Sequence, residues 1–216
     1  MISPARRHVV FTEAKTRTAQ TGGFKGNAYE QMLVKLAADQ RRLKKVQSMQ
    51  IKAETKRQLL PEYLSWVSGV LAADSGVQDD VFITIMLWAF DAADTELALK
   101  LARYALKHNL AMPVGHHRKL ACVVGEESAD LQFRQFSADQ PINLPFLLDM
   151  LELTKSEDMP DQVRANLHKI IGFGFRERDE LTPALEHLKQ AQALNDQAGC
   201  KKEIERLTKE LNKLNA

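Results

Sequence analysis

The sequence predicts an all-α fold with no sheet: a long basic N-terminal helix followed by packed helical hairpins. Three observations carry this expectation. No segment alternates polar and apolar residues in the manner of a strand. Apolar residues recur at helical spacing in successive windows along the chain. Asp, Asn and Pro stand at the starts of those windows, where they suit helix N-termini.

Residues 1–28 show no periodicity and mix Arg, Lys, Thr, Gly and Asn, which predicts a mobile basic arm. From 29 to 60 helix formers dominate, and neither Gly nor Pro occurs before Pro61, so one long helix is expected. Its apolar stripe of Met32, Leu33, Leu36, Leu43, Val46 and Ile51 is narrow, so packing against neighbours or a partner must hold it.

An apolar helix over 63–71 ends near Gly76. Asp79 and Asp80 open the next helix, where carboxylates complement the positive end of the dipole. That helix is apolar nearly all round, from Val81 to Phe90, and is expected to be buried. Asp94 introduces a helix with Leu97, Leu101 and Tyr104 on one face, closed by Asn109 and Pro113. The interval 111–142, with Gly115, His116, His117, Gly125 and Pro141, reads as a long connection holding at most one short helix. Asn143 and Pro145 start another helix, and Pro160 starts one with Val163, Leu167, Ile170 and Ile171 on one face. Thr182-Pro183 reads as an N-cap and first-turn proline, and Gly199 breaks the helix that follows. Ala98, Ala102 and Ala105 echo Ala184, Leu188 and Ala191, a small-residue spacing that suits stacked hairpins without making a repeat array.

Charge is sorted along this otherwise near-neutral chain of 216 residues. Residues 1–60 carry a net of +9, residues 61–200 a net of −9, and the last 16 residues +2. The organisation that follows is a basic arm over 1–28, a basic helix over 29–60, an acidic helical-hairpin body over 61–198 and a C-terminal amphipathic helix over 199–216. No run of about 18 apolar residues occurs, so no transmembrane helix is expected. The N-terminus lacks the apolar stretch of a secretory signal, and two cysteines make no disulfide framework. Together these suit a soluble, cytoplasmic protein.

The basic segment is the strongest functional signal. Arg6, Arg7, Arg17, Lys25, Lys35, Arg41, Arg42, Lys44, Lys45, Lys52, Lys56 and Arg57 are the candidate phosphate contacts, since such cations bind DNA by releasing its counterions. A solvated helix face, or docking on the acidic body of a neighbouring subunit, is the alternative. His116, His117 and Cys122 lack the convergent partners a metal needs, so no metal and no cofactor is expected. The other histidines stand alone in the sequence. A magnesium-dependent nuclease would need clustered carboxylates, and Asp79, Asp80, Asp91, Asp94 and Glu96 are close in sequence, but their positions at helix starts and in a turn explain them fully as caps and dipole partners. No nuclease, nucleotide-binding or Ser/His/Asp pattern is visible. Ile204, Leu207, Leu211 and Leu214 form a 3-4-3 seam about two heptads long. It packs on its own domain or serves as a partner-docking surface.

The chain also resembles a family. Tyr29-Glu-Gln-Met-Leu-Val-Lys-Leu-Ala-Ala-Asp-Gln40 is similar to a hallmark segment of the small terminase subunits of temperate tailed phages of the peduovirus type, the gpM-like proteins. So are Gln78-Asp-Asp80 with Met86-Leu87-Trp88, and Ala102-Arg-Tyr-Ala-Leu-Lys107 with Met112-Pro113. Asp158-Met-Pro160, Arg164, Leu167-His168-Lys169 and Ala198-Gly-Cys-Lys-Lys-Glu-Ile-Glu-Arg206 complete the resemblance, in order along nearly the whole chain. The resemblance implies binding of double-stranded viral DNA near its cohesive-end packaging site. It also implies homo-oligomers, often rings, and delivery of DNA to the large ATPase subunit. The family is commonly labelled the terminase endonuclease subunit, and that label likewise belongs to the resemblance.

Overall fold

The computed structural model describes residues 27–214, and among them every regular element is helical. The elements are α1 (Ala28–Lys44), α2 (Met49–Leu59), a 3-10 turn (Leu60–Tyr63), α3 (Leu64–Ala73), α4 (Asp80–Asp91) and α5 (Thr95–Lys107). They continue with α6 (Leu120–Ser137), α7 (Leu144–Leu153), α8 (Asp161–Arg176), α9 (Leu181–Leu194) and α10 (Lys201–Leu214). The expected arm falls almost wholly outside the described residues.

Two compact units divide the chain, and they do not follow the charge boundary. One comprises the described residues up to Asp94 together with His108–His116; the other comprises Thr95–Lys107 and the described residues from His117 onward. The basic helices therefore share a unit with α3 and α4, the first part of the acidic segment.

In the first unit the single helix expected over 29–60 is two helices. α1 ends at Lys44, and the Ser48 side chain accepts from the Ile51 N–H at 3.3 Å to start α2. A serine in a run of helix formers is thus spent as a cap, and the chain turns over residues 45–48. α1 is started by a capping box: Asn27 Oδ1 accepts from Glu30 N at 2.9 Å, while Glu30 Oε2 accepts from Asn27 N at 3.0 Å. Leu33, Leu36, Ala37 and Leu43 are its buried face. α4 is buried on almost every side, with Val81, Phe82, Ile83, Ile85, Met86, Ala89 and Phe90 fully enclosed, as its all-round apolar sequence requires.

The second unit departs from the expected long connection over 111–142. An 18-residue helix, α6, occupies Leu120–Ser137. Gly125 inside it is a packing residue: a Cβ there would lie 3.3 Å from Val163 and 3.6 Å from Met159. Buried Ser128 donates back to the Val124 carbonyl at 2.6 Å, and buried Gln132 Oε1 accepts from Asn143 N at 2.7 Å. Asn143 then caps α7 by accepting from Phe146 N at 3.2 Å.

α8 and α9 make the most extensive helix pair. Gly172 permits their close approach, since a Cβ there would meet Leu188 Cγ at 2.7 Å and the Ala184 carbonyl at 3.2 Å. α9 begins at Leu181, so Thr182 and Pro183 lie in its first turn and Thr182 is not its N-cap. Gly199, at φ +73°, separates α9 from α10.

Candidate nucleic-acid interface

α1 and α2 carry their cations toward their C-terminal turns, Arg41, Arg42 and Lys44 on one, Lys56 and Arg57 on the other, where they complement the helix dipole. Burial of Leu33, Leu36 and Ala37 on α1 and Thr55 and Leu59 on α2 fixes which faces turn outward. The structure then sorts the predicted phosphate contacts into three groups.

Arg6, Arg7, Arg17 and Lys25 lie outside the described residues. Lys35, Lys56, Arg57 and Arg41 are engaged inside the fold. Lys35 Nζ lies 2.7 Å from Asp39 and 2.9 Å from Glu62, and 4.2 Å over the Tyr63 ring. Burial works against its charge, but the bonds to Asp39 and Glu62 hold its pKa above that of an ordinary lysine. Tyr63 is buried and its hydroxyl donates to Asp39 at 2.6 Å; burial and that bond raise its pKa. Lys56 pairs with Asp91, and Arg57 pairs with Glu54 while donating to the Ala92 carbonyl at 3.0 Å. Arg41 Nε donates to the Ala37 carbonyl at 3.2 Å.

Arg42, Lys44, Lys45 and Lys52 form the third group. Arg42, Lys44 and Lys45 are exposed, Lys52 is half-buried, and none takes part in an ion pair among the described residues. All four flank the 45–48 turn. The α1–α2 corner therefore presents four cations that no carboxylate of the described residues pairs with, a short-range field suited to an anion.

Asp79 and Asp80 have local explanations. Asp79 is buried and caps α4: Oδ1 accepts from Phe82 N at 2.9 Å and Oδ2 from Trp66 Nε1 at 2.9 Å. Burial raises its pKa against the pull of those bonds. Asp80 accepts from Gln78 Nε2 at 3.1 Å, and its own N–H donates to the Tyr29 hydroxyl at 3.2 Å. In the second unit, Arg118 pairs with Glu126, and Lys119 with Asp158 at 2.9 Å. Among the described residues no three His, Cys, Asp or Glu side chains converge as a metal site would require.

One sequence reading is narrowed here to the first of its two alternatives, and another changes. The C-terminal seam is largely consumed within its own unit. Leu207 is fully buried with Ala184, Leu188, Ala191, Ala198 and Cys200, and Ile204 packs against that cluster. Leu207 is closed to a partner, Leu211 is half-buried, and only Leu214, 71% exposed, remains open. His168 and His187, solitary in sequence, form a pair joining α8 to α9, with Nδ1 atoms 3.1 Å apart. Phe175 lies against His187 at 5.4 Å between ring centroids. Burial, then His187 and Arg164, push the His168 pKa down to about 4, and burial lowers that of His187. The 19-residue separation hid this pair from any local reading.

Comparison with known proteins agrees with the resemblance read from the sequence. The model of the family described as "Phage small terminase subunit" matches residues 33–162. The chain is 47% identical over 213 residues to the "Terminase, endonuclease subunit" of Escherichia phage P2, covering 98% of this chain and 86% of that protein. It is 26% identical over 203 residues to the "Probable terminase, endonuclease subunit" of Haemophilus phage HP1, covering 88% and 72% respectively. No solved structure matches. No helix among the described residues is long and apolar enough to cross a membrane. A match over more than half of the chain, and a relative this similar over nearly all of it, establish that the chain belongs to the phage small terminase subunit family and serves phage DNA packaging.

Proposed function

We propose that this protein binds double-stranded viral DNA near its packaging site through the α1–α2 corner, assembles as a homo-oligomer and directs the large ATPase subunit in the host cytoplasm. The observation that carries the DNA-contact reading is the set Arg42, Lys44, Lys45 and Lys52, which the fold leaves outside its ion pairs. Cations already matched to carboxylates gain little from phosphate, because a new contact must replace an existing one. The basic residues of the 1–26 segment are further phosphate contacts in the same reading. In the same reading Leu214, exposed, and Leu211, half-buried, at the far end of α10 contact the large subunit.

The test is a salt-titrated binding measurement on duplex DNA, comparing the wild type with the charge-neutralised corner Arg42→Gln, Lys44→Gln, Lys45→Gln, Lys52→Gln. Weaker binding with a flatter salt dependence supports the assignment; unchanged affinity overturns it.

A second reading, a magnesium-dependent endonuclease acting on the cohesive-end site, is favoured by the names of the two relatives. Incubating the purified protein with site-containing DNA and magnesium distinguishes the two readings. Cleavage without the large subunit, lost on Asp94→Asn, would establish catalysis in this chain. Asp79→Asn is a poorer probe, because it disturbs the α4 cap.

A further inference from the structure

The apolar stripe of α2 runs off the end of its core. Leu59 and Thr55 are buried, and Ile51, one turn before Thr55 on the same face, is 58% exposed. Met49, the first residue of α2, is 70% exposed. Isolated exposed apolar residues are ordinary, and Leu64, Val77, Val114 and Leu148 need no special account. Met49 and Ile51 differ in standing two residues apart, at the tip of a helix, among Arg42, Lys44, Lys45 and Lys52. A helix start with two exposed apolar residues, flanked in sequence by cations that have no ion-pair partner among the described residues, suits a partner whose rim is anionic and whose floor is apolar. The major groove of a DNA duplex has that character: phosphates line its edges, thymine methyl groups stud its floor, and its width admits a helix.

We propose that Met49 and Ile51 contact thymine C5 methyl groups in the major groove, so that the corner carries base preference as well as charge. This rests on the DNA-contact reading above and adds a specificity element to it. The cations hold the phosphates and position the tip; Met49 and Ile51 discriminate between bases by removing methyl groups from water. A second copy of the same corner is a poor occupant, because it would oppose four cations with four more. The acidic segment of a neighbouring copy is the rival, and it predicts a different readout.

The experiment compares wild-type protein with Met49→Ala/Ile51→Ala on two duplexes of identical sequence, one with thymine and one with uracil in every thymine position. Uracil removes the methyl group and leaves pairing and phosphates unchanged. Wild type should bind the thymine duplex about four- to fifteenfold more tightly, the size expected for one or two methyl groups leaving water. The double variant should show no such preference and an unchanged salt slope, with its thermal melt and assembly mass as in wild type. Salt-dependent binding with no methyl preference in the wild type overturns the inference and leaves the DNA-contact reading standing. Equal preference in both proteins, or a preserved preference with loss of assembly in the variant, also overturns it. Absence of DNA affinity in the wild type removes both readings.

Discussion

The Tyr63 hydroxyl donates to Asp39 Oδ2 at 2.6 Å, and Lys35 Nζ lies 2.7 Å from that same oxygen. One carboxylate thereby ties α1 to the 3-10 turn and engages a cation that the sequence offers as a DNA contact. A shared, partly buried acceptor of this kind is a fold element, because losing either donor leaves the other to satisfy the oxygen alone.

Two substitutions should separate stability from DNA affinity at this point. Tyr63→Phe should lower unfolding stability by about 1.5–3 kcal/mol, the usual worth of a hydrogen bond to a charged group. Lys35→Gln should leave the salt slope of DNA binding unchanged within error. Chemical denaturation and salt-titrated binding are the measurements; a slope flattened by Lys35→Gln as much as by Arg42→Gln would contradict the sorting of the cations.

Leu207→Glu should be costly wherever α10 finds its partners. The side chain is fully buried in the α9–α10 cluster, so an unpaired carboxylate there should destabilise by about 3–5 kcal/mol. Leu214→Glu, at a 71% exposed position, should change stability by less than about 0.5 kcal/mol. Thermal melts of the two variants check this, and similar melts would show that the seam is not packed as described. Loss of the large subunit by Leu214→Glu with an unchanged melt would place docking at the end of α10.

Stability should fall in mild acid because of the His168–His187 pair. Both folded pKa values are depressed, His168 to about 4. The unfolded chain therefore binds more protons between about 6.5 and 4, and the stabilisation present above about pH 6.5 is lost as pH falls toward 4. The contribution of His168 should be about 1–2 kcal/mol, since part of the ring faces solvent and screening reduces the effect. Denaturation at pH 7.5 and pH 5 should show a smaller loss in His168→Phe than in the wild type. Equal losses would remove the pair from the acid response.

The glycines give a paired test of helix packing. Gly172→Ala should destabilise by about 1–2 kcal/mol, because the added carbon meets Leu188 Cγ at 2.7 Å and the helix-propensity gain does not offset that. Gly69→Ala, in α3 with nothing within 4 Å of the added carbon, should stabilise by about 0.5–1 kcal/mol. Opposite signs in chemical denaturation are the expected outcome, and a stabilising Gly172→Ala would mean that α8 and α9 lie farther apart.

What could be read from the sequence was what local chemistry decides. Asp79 and Asn143 cap helices through their own next turn, so their roles needed no knowledge of the fold. The burial of α4 followed from its all-round apolar content. α6 escaped because Gly125, Ser128 and Gln132 interrupt its apolar pattern, and each is accommodated by a partner invisible to periodicity: Val163, the Val124 carbonyl and Asn143 N. The α1–α2 break turned on Ser48, which looks like any polar helix residue until its side chain is seen on Ile51 N. At the candidate interface, charge located the basic segment, but only tertiary contacts (Lys35 with Glu62, Lys56 with Asp91, Arg57 with the Ala92 carbonyl) distinguished these three from Arg42, Lys44, Lys45 and Lys52.

The slope of log affinity against log salt for duplex DNA tests the central claim most directly. In Arg42→Gln/Lys44→Gln/Lys45→Gln/Lys52→Gln it should be shallower than in the wild type by about three to four units, close to 0.9 for each phosphate contact removed. Assembly mass and thermal melt should stay as in the wild type. A variant that binds with the wild-type slope and affinity would contradict the account, because the corner would then carry no phosphate.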